Sequence, residues 1–432
     1  MKILFKNADI LFGDNFDLLK NSYLSVNGET IEYIGKDKPE GDFDRVIDMK
    51  NKLLIPGLVN AHCHVPMTLL RGYGEELPLD RWLNEKIFPI EAKMTGEDIA
   101  AGSEIGIAEM IASGVTSFSD MYFMGEYTAQ EVIKSGIKCN LTRAIWSFDE
   151  NERLSNLKCF EEFKLLQKEY HKAANERVLV DYCIHAEYTC FPSVIEEYSA
   201  IAAAEKGIIH IHLSETKSEH ENCIKKYGKT PAKLFYDCGT FDAKCMVAHC
   251  VYITDEDLQL LKEKGVTIVH NPTSNLKLGS GVAPLKKFLE AGVNVALGTD
   301  GASSNNNLNM FEEMHLASLI HKGVMCDPTV IKAHEVLKMA TRNGALAQGR
   351  DNTGILKEGF RADIAAIDMD KPHFYPNLNP LMSLMYSAQA SDVYLTMADG
   401  VILYEKGDFK TIDIEKAKFR LSKRLELLYN KV

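Results

Sequence analysis

Residues 53–64 read LLIPGLVNAHCH. An apolar, β-prone run ends there in two histidines one residue apart. Side chains alternate along a strand, so His62 and His64 point to one face and Cys63 to the other. Downstream, the chain repeats the plan of a short β-rich run followed by a helical pattern. The runs are GVTSFSDMY (114–122), IKCNLTRAIW (137–146), VLVDYCIHAEY (178–188), IIHIHLSET (208–216), CMVAHCVYI (245–253), GVTIVHNPTS (265–274) and GVNVALGTDG (292–301). Helical stretches such as GEDIAAGSEIGIAEMIASG (96–114) and EEFKLLQKEYHKAANE (161–176) lie between them. Eight such units over residues 56–354 predict an α/β fold, a (β/α)8 TIM barrel. A doubly wound sheet is the structural alternative.

Both ends differ in character. MKILFKNADILF (1–12), NSYLSVNGETIEYIG (21–35) and DRVIDMKNKLLIP (44–56) read as strands, with a hairpin signal at Asn27-Gly28. GFRADIAAIDM (359–369) and SDVYLTMADGVILYEKGDF (391–409) read likewise, with a turn at Asp399-Gly400. Residues 1–55 and 355–432 are therefore expected to meet in a small β-domain beside the barrel. The last stretch, IEKAKFRLSKRLELLYN (414–430), has an amphipathic helix pattern. It can pack on the barrel or on a second subunit, so a homo-oligomer is left open.

Composition bounds the function. Of 432 residues, 46% are apolar and 25% charged, which excludes a disordered, collagen-like or disulfide-stapled chain. There are 49 basic and 61 acidic residues, a net charge of −12, and no long basic run, so nucleic acid is not an expected partner. The ten cysteines form no CxxC pair and scatter through apolar stretches. They read as reduced core thiols of a cytoplasmic protein. No apolar run approaches the ~18 residues of a membrane span, and the strand-like start is no signal peptide.

Thirteen histidines are present, and their positions carry information. His62, His64, His185, His212, His249 and His270 fall at or near the C-terminal ends of predicted strands. In a barrel, active sites are built on that face. His62 and His64 can turn onto one metal ion. HIHLSE (210–215) offers His210, His212 and Glu215, and VALGTD (295–300) ends in Asp300. Three imidazoles and a carboxylate suit one divalent ion, Zn2+ first, with Fe2+ or Mn2+ as alternatives. The plainer readings are a turn or N-cap role for Asp300, a solvated loop charge for Glu215, and a core role for His210, two residues deeper than His212. Glu215 and His249 remain as acid–base groups for a water whose pKa the ion lowers.

Four motifs, PGLVNAHCH (56–64), HLSET (212–216), AHC (248–250) and LGTDGASSNN (297–306), resemble in order and spacing those of the amidohydrolase superfamily. Within it the chain is most similar to the 5-methylthioadenosine/S-adenosylhomocysteine deaminases, near the s-triazine hydrolases. The resemblance spans nearly the whole length, including GILKEGFRADIAAID (354–368). It implies a barrel with a composite β-sandwich from both termini, and one metal on His62, His64, His212 and Asp300. Binuclear relatives carry a modified lysine at the end of strand four. VLVDYCIHAE has none, and His185 stands there as a purine contact.

The resemblance further makes Glu215 the proton shuttle and His249 the water-activating histidine, with Asp300 sharing the proton. For substrate contacts it implies Trp82 against the nucleoside, Glu91 on the ribose hydroxyls, and Arg143 with Arg153 on a homocysteine carboxylate. Ser303, Ser304 and Asn305 edge the purine. The expected reaction is hydrolytic loss of the 6-amino group from S-adenosylhomocysteine, 5′-methylthioadenosine or adenosine. The rivals are another ring on the same fold (guanine, 8-oxoguanine, a pterin, an s-triazine), a cyclic amide, or a noncatalytic metal-binding protein.

Overall fold

The computed structural model describes residues 1–430. Eight parallel strands form the barrel: β6 (Leu58–His64), β7 (Val115–Tyr122), β8 (Lys138–Arg143), β9 (Val178–Ile184), β10 (Ile208–Leu213), β11 (Lys244–His249), β12 (Thr267–His270) and β13 (Val295–Leu297). They hydrogen-bond in sequence order, and a two-residue β14 (Asp300–Gly301) returns to β6. Asp300 lies opposite Cys63 and Gly301 opposite His64 in that pairing. The strands are covered on both faces, which is why they read as near-continuous apolar runs. All eight residues of β7 are buried.

Closure places the eighth strand against the first. Asn60 clasps Thr299 twice, donating to Oγ1 at 2.7 Å and accepting the backbone N–H at 3.0 Å. Gly298 makes the approach possible. A Cβ there would lie 2.6 Å from Asn271 Oδ1 and 2.8 Å from the His62 backbone N and O. Thus one metal-ligand candidate, Asp300, is delivered beside two others by the step that shuts the barrel.

The remaining strands are β1 (Lys2–Phe12), β2 (Asp17–Asn27), β3 (Thr30–Gly35), β4 (Arg45–Asp48), β5 (Lys52–Pro56), β15 (Ile364–Asp368), β16 (Val393–Ala398), β17 (Val401–Glu405) and β18 (Asp408–Phe409). They make one nine-stranded sheet in the order β18-β17-β16-β15-β5-β1-β2-β3, with β4 on β1. The two chain ends meet where β15 pairs antiparallel with β5. Both halves feed one apolar core, with Ile3, Phe5, Leu24 and Val26 from one end and Ile364, Ala366, Leu395 and Met397 from the other. The expected sandwich is therefore a single sheet folded over itself. Its two turns touch: a Cβ on Gly400 would collide with the carbonyl oxygen of Gly28.

A buried ionic joint fastens this sheet to the foot of the barrel. Lys138 opens β8, and its ammonium contacts Asp363 and, at 3.1 Å, Asp399. All three side chains are at least 97% buried. Arg361 and Arg177 also reach Asp399, at 2.8 Å and 3.3 Å. The C-terminal helix Ile414–Tyr429 packs within the chain on the barrel helix Gly96–Ala112. Arg424 holds Asp98 at 2.6 Å, and Arg420 holds Glu104 and Glu131 at 3.1 Å each. No helix among the described residues is long and apolar enough to cross a membrane. Nine of the ten cysteines are buried and none is paired.

Candidate active site

His62, His64, His212 and Asp300 converge at the C-terminal mouth of the barrel, one ligand atom from each lying within 4.8 Å of the others. No other such cluster occurs among the described residues. Asp300 Oδ1 is 3.0 Å from His64 Nε2 and 3.3 Å from His62 Nε2. The surroundings fix each imidazole. His64 Nδ1 donates to the Met121 carbonyl, and His212 Nδ1 donates to the His185 carbonyl at 2.9 Å. A carbonyl can only accept, so Nδ1 of each ring carries a proton and Nε2 is the atom each turns toward the cluster. His62 Nδ1 meets His210 Nε2 at 2.9 Å. His210 is thus a buried support for a ligand, on the same strand face as His212 and one pleat deeper. Ser274 and Ser304 hold the second oxygen of Asp300 at 2.6 Å and 2.8 Å.

These residues fit a divalent ion. Burial pushes His62 down to about 3 and His212 well below its ordinary value, so both rings are neutral and ready to ligate. Burial alone would raise Asp300 and lower His64. Their mutual contact outweighs it, holding Asp300 well below the carboxylate range and lifting His64 to about 9. A positive charge is therefore favoured at the point where the four side chains meet. His62 Nε2 is buried there and makes no well-directed hydrogen bond.

Beyond the cluster stands an acid–base pair. His249 Nε2 lies 3.8 Å from Glu215 Oε2. His249 Nδ1 is 2.8 Å from Asn275 Oδ1, and Ser280 donates to Glu215 Oε1 at 3.3 Å. Burial raises Glu215 to about 7. Three non-glycine residues at these strand ends hold left-handed backbones: Ser214 (φ 48°), His249 (φ 73°) and Asp300 (φ 60°). Such conformations persist only where the surroundings enforce them, and they concentrate at functional sites.

The cluster opens into a cavity that faces solvent. Trp82, Phe88, Phe123, Trp146 and Tyr188 give it aromatic walls, and Glu91, Arg143, His185 and Ser304 bring polar groups. Glu91 accepts a hydrogen bond from Tyr122, and burial raises it to about 7. Burial lowers His185 to about 4, so the ring is neutral. Arg143 stacks over Trp146 at 5.0 Å and donates from Nε to Glu162 at 2.8 Å.

Three expected contacts lie outside the lining. Arg153 is 65% exposed and sits 3.5 Å from Glu197. Asn305 donates to the Thr299 carbonyl and to Glu313, at 2.6 Å and 2.7 Å, and so braces the loop after Asp300. Ser303 is buried beside it. His270 stacks toward His321, 5.8 Å away, behind the site. Sequence reasoning missed Ser274, Asn275 and Ser280. They lie in NPTSNLKLGS (271–280), where no local feature marks them as part of a site.

Comparison with known proteins agrees with this geometry. The model of the amidohydrolase family matches residues 53–403. The chain is 46% identical over 426 residues to a 5-methylthioadenosine/S-adenosylhomocysteine deaminase of Dictyoglomus thermophilum, covering 98% of each chain. It is equally similar, 46% over 426 residues and 98% of each chain, to the protein of that name from Acetivibrio thermocellus. The fold superposes on a zinc-bound adenosine deaminase from Xanthomonas campestris with a TM-score of 0.93, at 27% identity, covering 99% of this chain and 98% of that one. Triazine hydrolase from Arthrobacter aurescens shares the fold, with a TM-score of 0.91 at 23% identity over 98% of this chain and 99% of that one. A family match over most of its length and 46% identity to relatives covered almost end to end show that the chain belongs to the amidohydrolase family.

Proposed function

We propose that this protein hydrolyses the 6-amino group of an adenosine carrying a 5′-thioether, releasing ammonia and the inosyl product. The observation that carries the reading is Glu215, buried, raised to about 7 and 3.8 Å from His249, beside the His3Asp cluster. A ring nitrogen must gain a proton as water adds to the neighbouring carbon, and a carboxyl group that is part-protonated near neutral pH supplies it. His62, His64, His212 and Asp300 are the residues that would hold a single ion, which we assign as zinc. When bound, such an ion brings the pKa of a water toward ~7.

The residues divide the remaining work. Asp300 and His249 take and orient the water's proton. Glu215 gives its proton to the purine nitrogen next to carbon 6, offsetting the negative charge that develops there. The proton first taken from water then passes to the amino group, the bond from carbon 6 to nitrogen breaks, and the carbon-6 hydroxyl gives its remaining proton back to Glu215 as the carbonyl forms. His185, neutral because buried, hydrogen-bonds the base. Glu91 accepts from ribose hydroxyls, a charge-assisted contact. Aromatic walls take the purine and the thioether, with Trp82 against the nucleoside and Ser304 at the purine edge. Free, buried thiols fit a reducing compartment, so we place the enzyme in the cytoplasm.

The direct test is turnover of S-adenosylhomocysteine, 5′-methylthioadenosine, adenosine and guanine by the purified enzyme, followed by ultraviolet absorbance. The adenosine derivatives are expected to react. Conversion of guanine alone would sink the reading. For the homocysteine carboxylate we assign Arg143 first, because it lines the cavity. Arg153 joins it only if its loop turns inward. Losing one charge-assisted bidentate contact costs about 1.5–3 kcal/mol. Arg143→Ala should therefore raise KM for S-adenosylhomocysteine about 10–100-fold and leave adenosine nearly unaffected. Equal losses on both substrates would refute the carboxylate role.

A further inference from the structure

Glu219 lies in the first turn of the helix Lys217–Tyr227 and forms a capping box with Thr216. Its N–H donates to Thr216 Oγ1 at 3.2 Å, and Thr216 N–H donates to Glu219 Oε2 at 3.2 Å. A capping box accounts for those two bonds. It does not account for the shortest one, in which Glu215 N–H donates to the same oxygen at 2.7 Å. The Glu219 carboxylate thus grips the backbone of the residue whose side chain faces His249. Ser214, just before it, is held in the left-handed region at φ 48°.

The other oxygen, Glu219 Oε1, is buried and receives no N–H or hydroxyl. So is Oε2 of Glu187, a residue only 3% exposed in the turn that follows β9. The two carboxyl groups interact with each other, and burial first, then the Glu219 charge, pushes Glu187 well above the carboxylate range. Two adjacent buried carboxylates cannot both ionise. Backbone N–H donors favour the charge on Glu219. That turn also carries Tyr188 and directly follows His185, and both line the cavity.

We infer that Glu219 is a positioning residue for Glu215, its carboxylate fixing the backbone from which the Glu215 side chain reaches toward His249. The inference rests on the acid role proposed for Glu215.

Glu219→Ala removes the acceptor for two N–H groups, whereas Glu219→Gln keeps an oxygen there. A small misplacement of a reacting group costs about a hundredfold in rate, so Glu219→Ala is expected to lower kcat by about that factor. KM, metal content and thermal midpoint should stay close to wild type. Glu219→Gln should recover most of the lost kcat. If the alanine variant does not fold, Glu219→Asp, which keeps the charge but withdraws the oxygen, carries the same expected loss. Wild-type kcat in the alanine or aspartate variant overturns the inference. So does a glutamine variant as impaired as the alanine one. The rates are compared on whichever heterocycle the wild-type enzyme turns over, so a wrong substrate assignment leaves this test intact.

Discussion

Glu215→Gln is expected to lower kcat by about 10²–10⁴-fold, the usual contribution of a positioned general acid. The variant should keep one metal ion per chain. Glutamine matches glutamate in shape and can still accept from Ser280, which lies 3.3 Å from the carboxylate. It carries no acidic proton, so only the transfer is lost. Metal should be retained because the proposed ligand set, His62, His64, His212 and Asp300, does not include this residue. The sign of the pH dependence follows from the same group. Burial raises Glu215 to about 7, and the acid works only when protonated. The wild-type rate should therefore fall as pH rises through that value, and the residual activity of Glu215→Gln should lack that limb. Stopped assays across pH, with elemental analysis of both proteins, check the result. Full activity in the variant would remove Glu215 from the mechanism, and two ions per chain would refute the mononuclear site.

The second large effect is on stability. Lys138→Ala is expected to destabilise the fold by about 3–5 kcal/mol, the cost of stripping one partner from a buried ion pair. Asp363 and Asp399, 3% and 1% exposed, would keep their charges with less compensation. Arg361 and Arg177 still reach Asp399, but Asp363 has no arginine of its own. Adding Asp363→Asn to Lys138→Ala should therefore restore part of the loss. Urea unfolding of the single and double variants measures both steps. An unchanged midpoint in Lys138→Ala would show that the joint contributes nothing.

The sequence carried much of the site because barrels arrange chemistry by strand end. A strand's period of two put His62 and His64 on one face, and the position of LSE after HIH put Glu215 just beyond a strand. Asp300 was readable as the last residue of an apolar run. The supports were not readable. Ser274, Asn275, Ser280 and Glu219 are ordinary polar residues of loops and helix starts, and nothing local distinguishes them from solvated ones. The resemblance implied Arg143 and Arg153 as a pair, yet one lines the cavity and the other faces Glu197 in solvent.

What the sequence determined by itself is whatever depends on local periodicity: the eight βα units, the two β-rich ends, the turns at Asn27-Gly28 and Asp399-Gly400, and the placing of histidines, Glu215 and Asp300 at strand ends. What only the tertiary structure decided depends on closure. Gly298 lets the eighth strand reach the first, and this brings Asp300 to within 3.0 Å of His64, a residue 236 positions earlier in the chain. The same closure buries His62 and Glu215, and burial sets their protonation. Local sequence specifies which groups are present, but desolvation is a property of everything packed around them, so their acid–base character appears only once the barrel is shut.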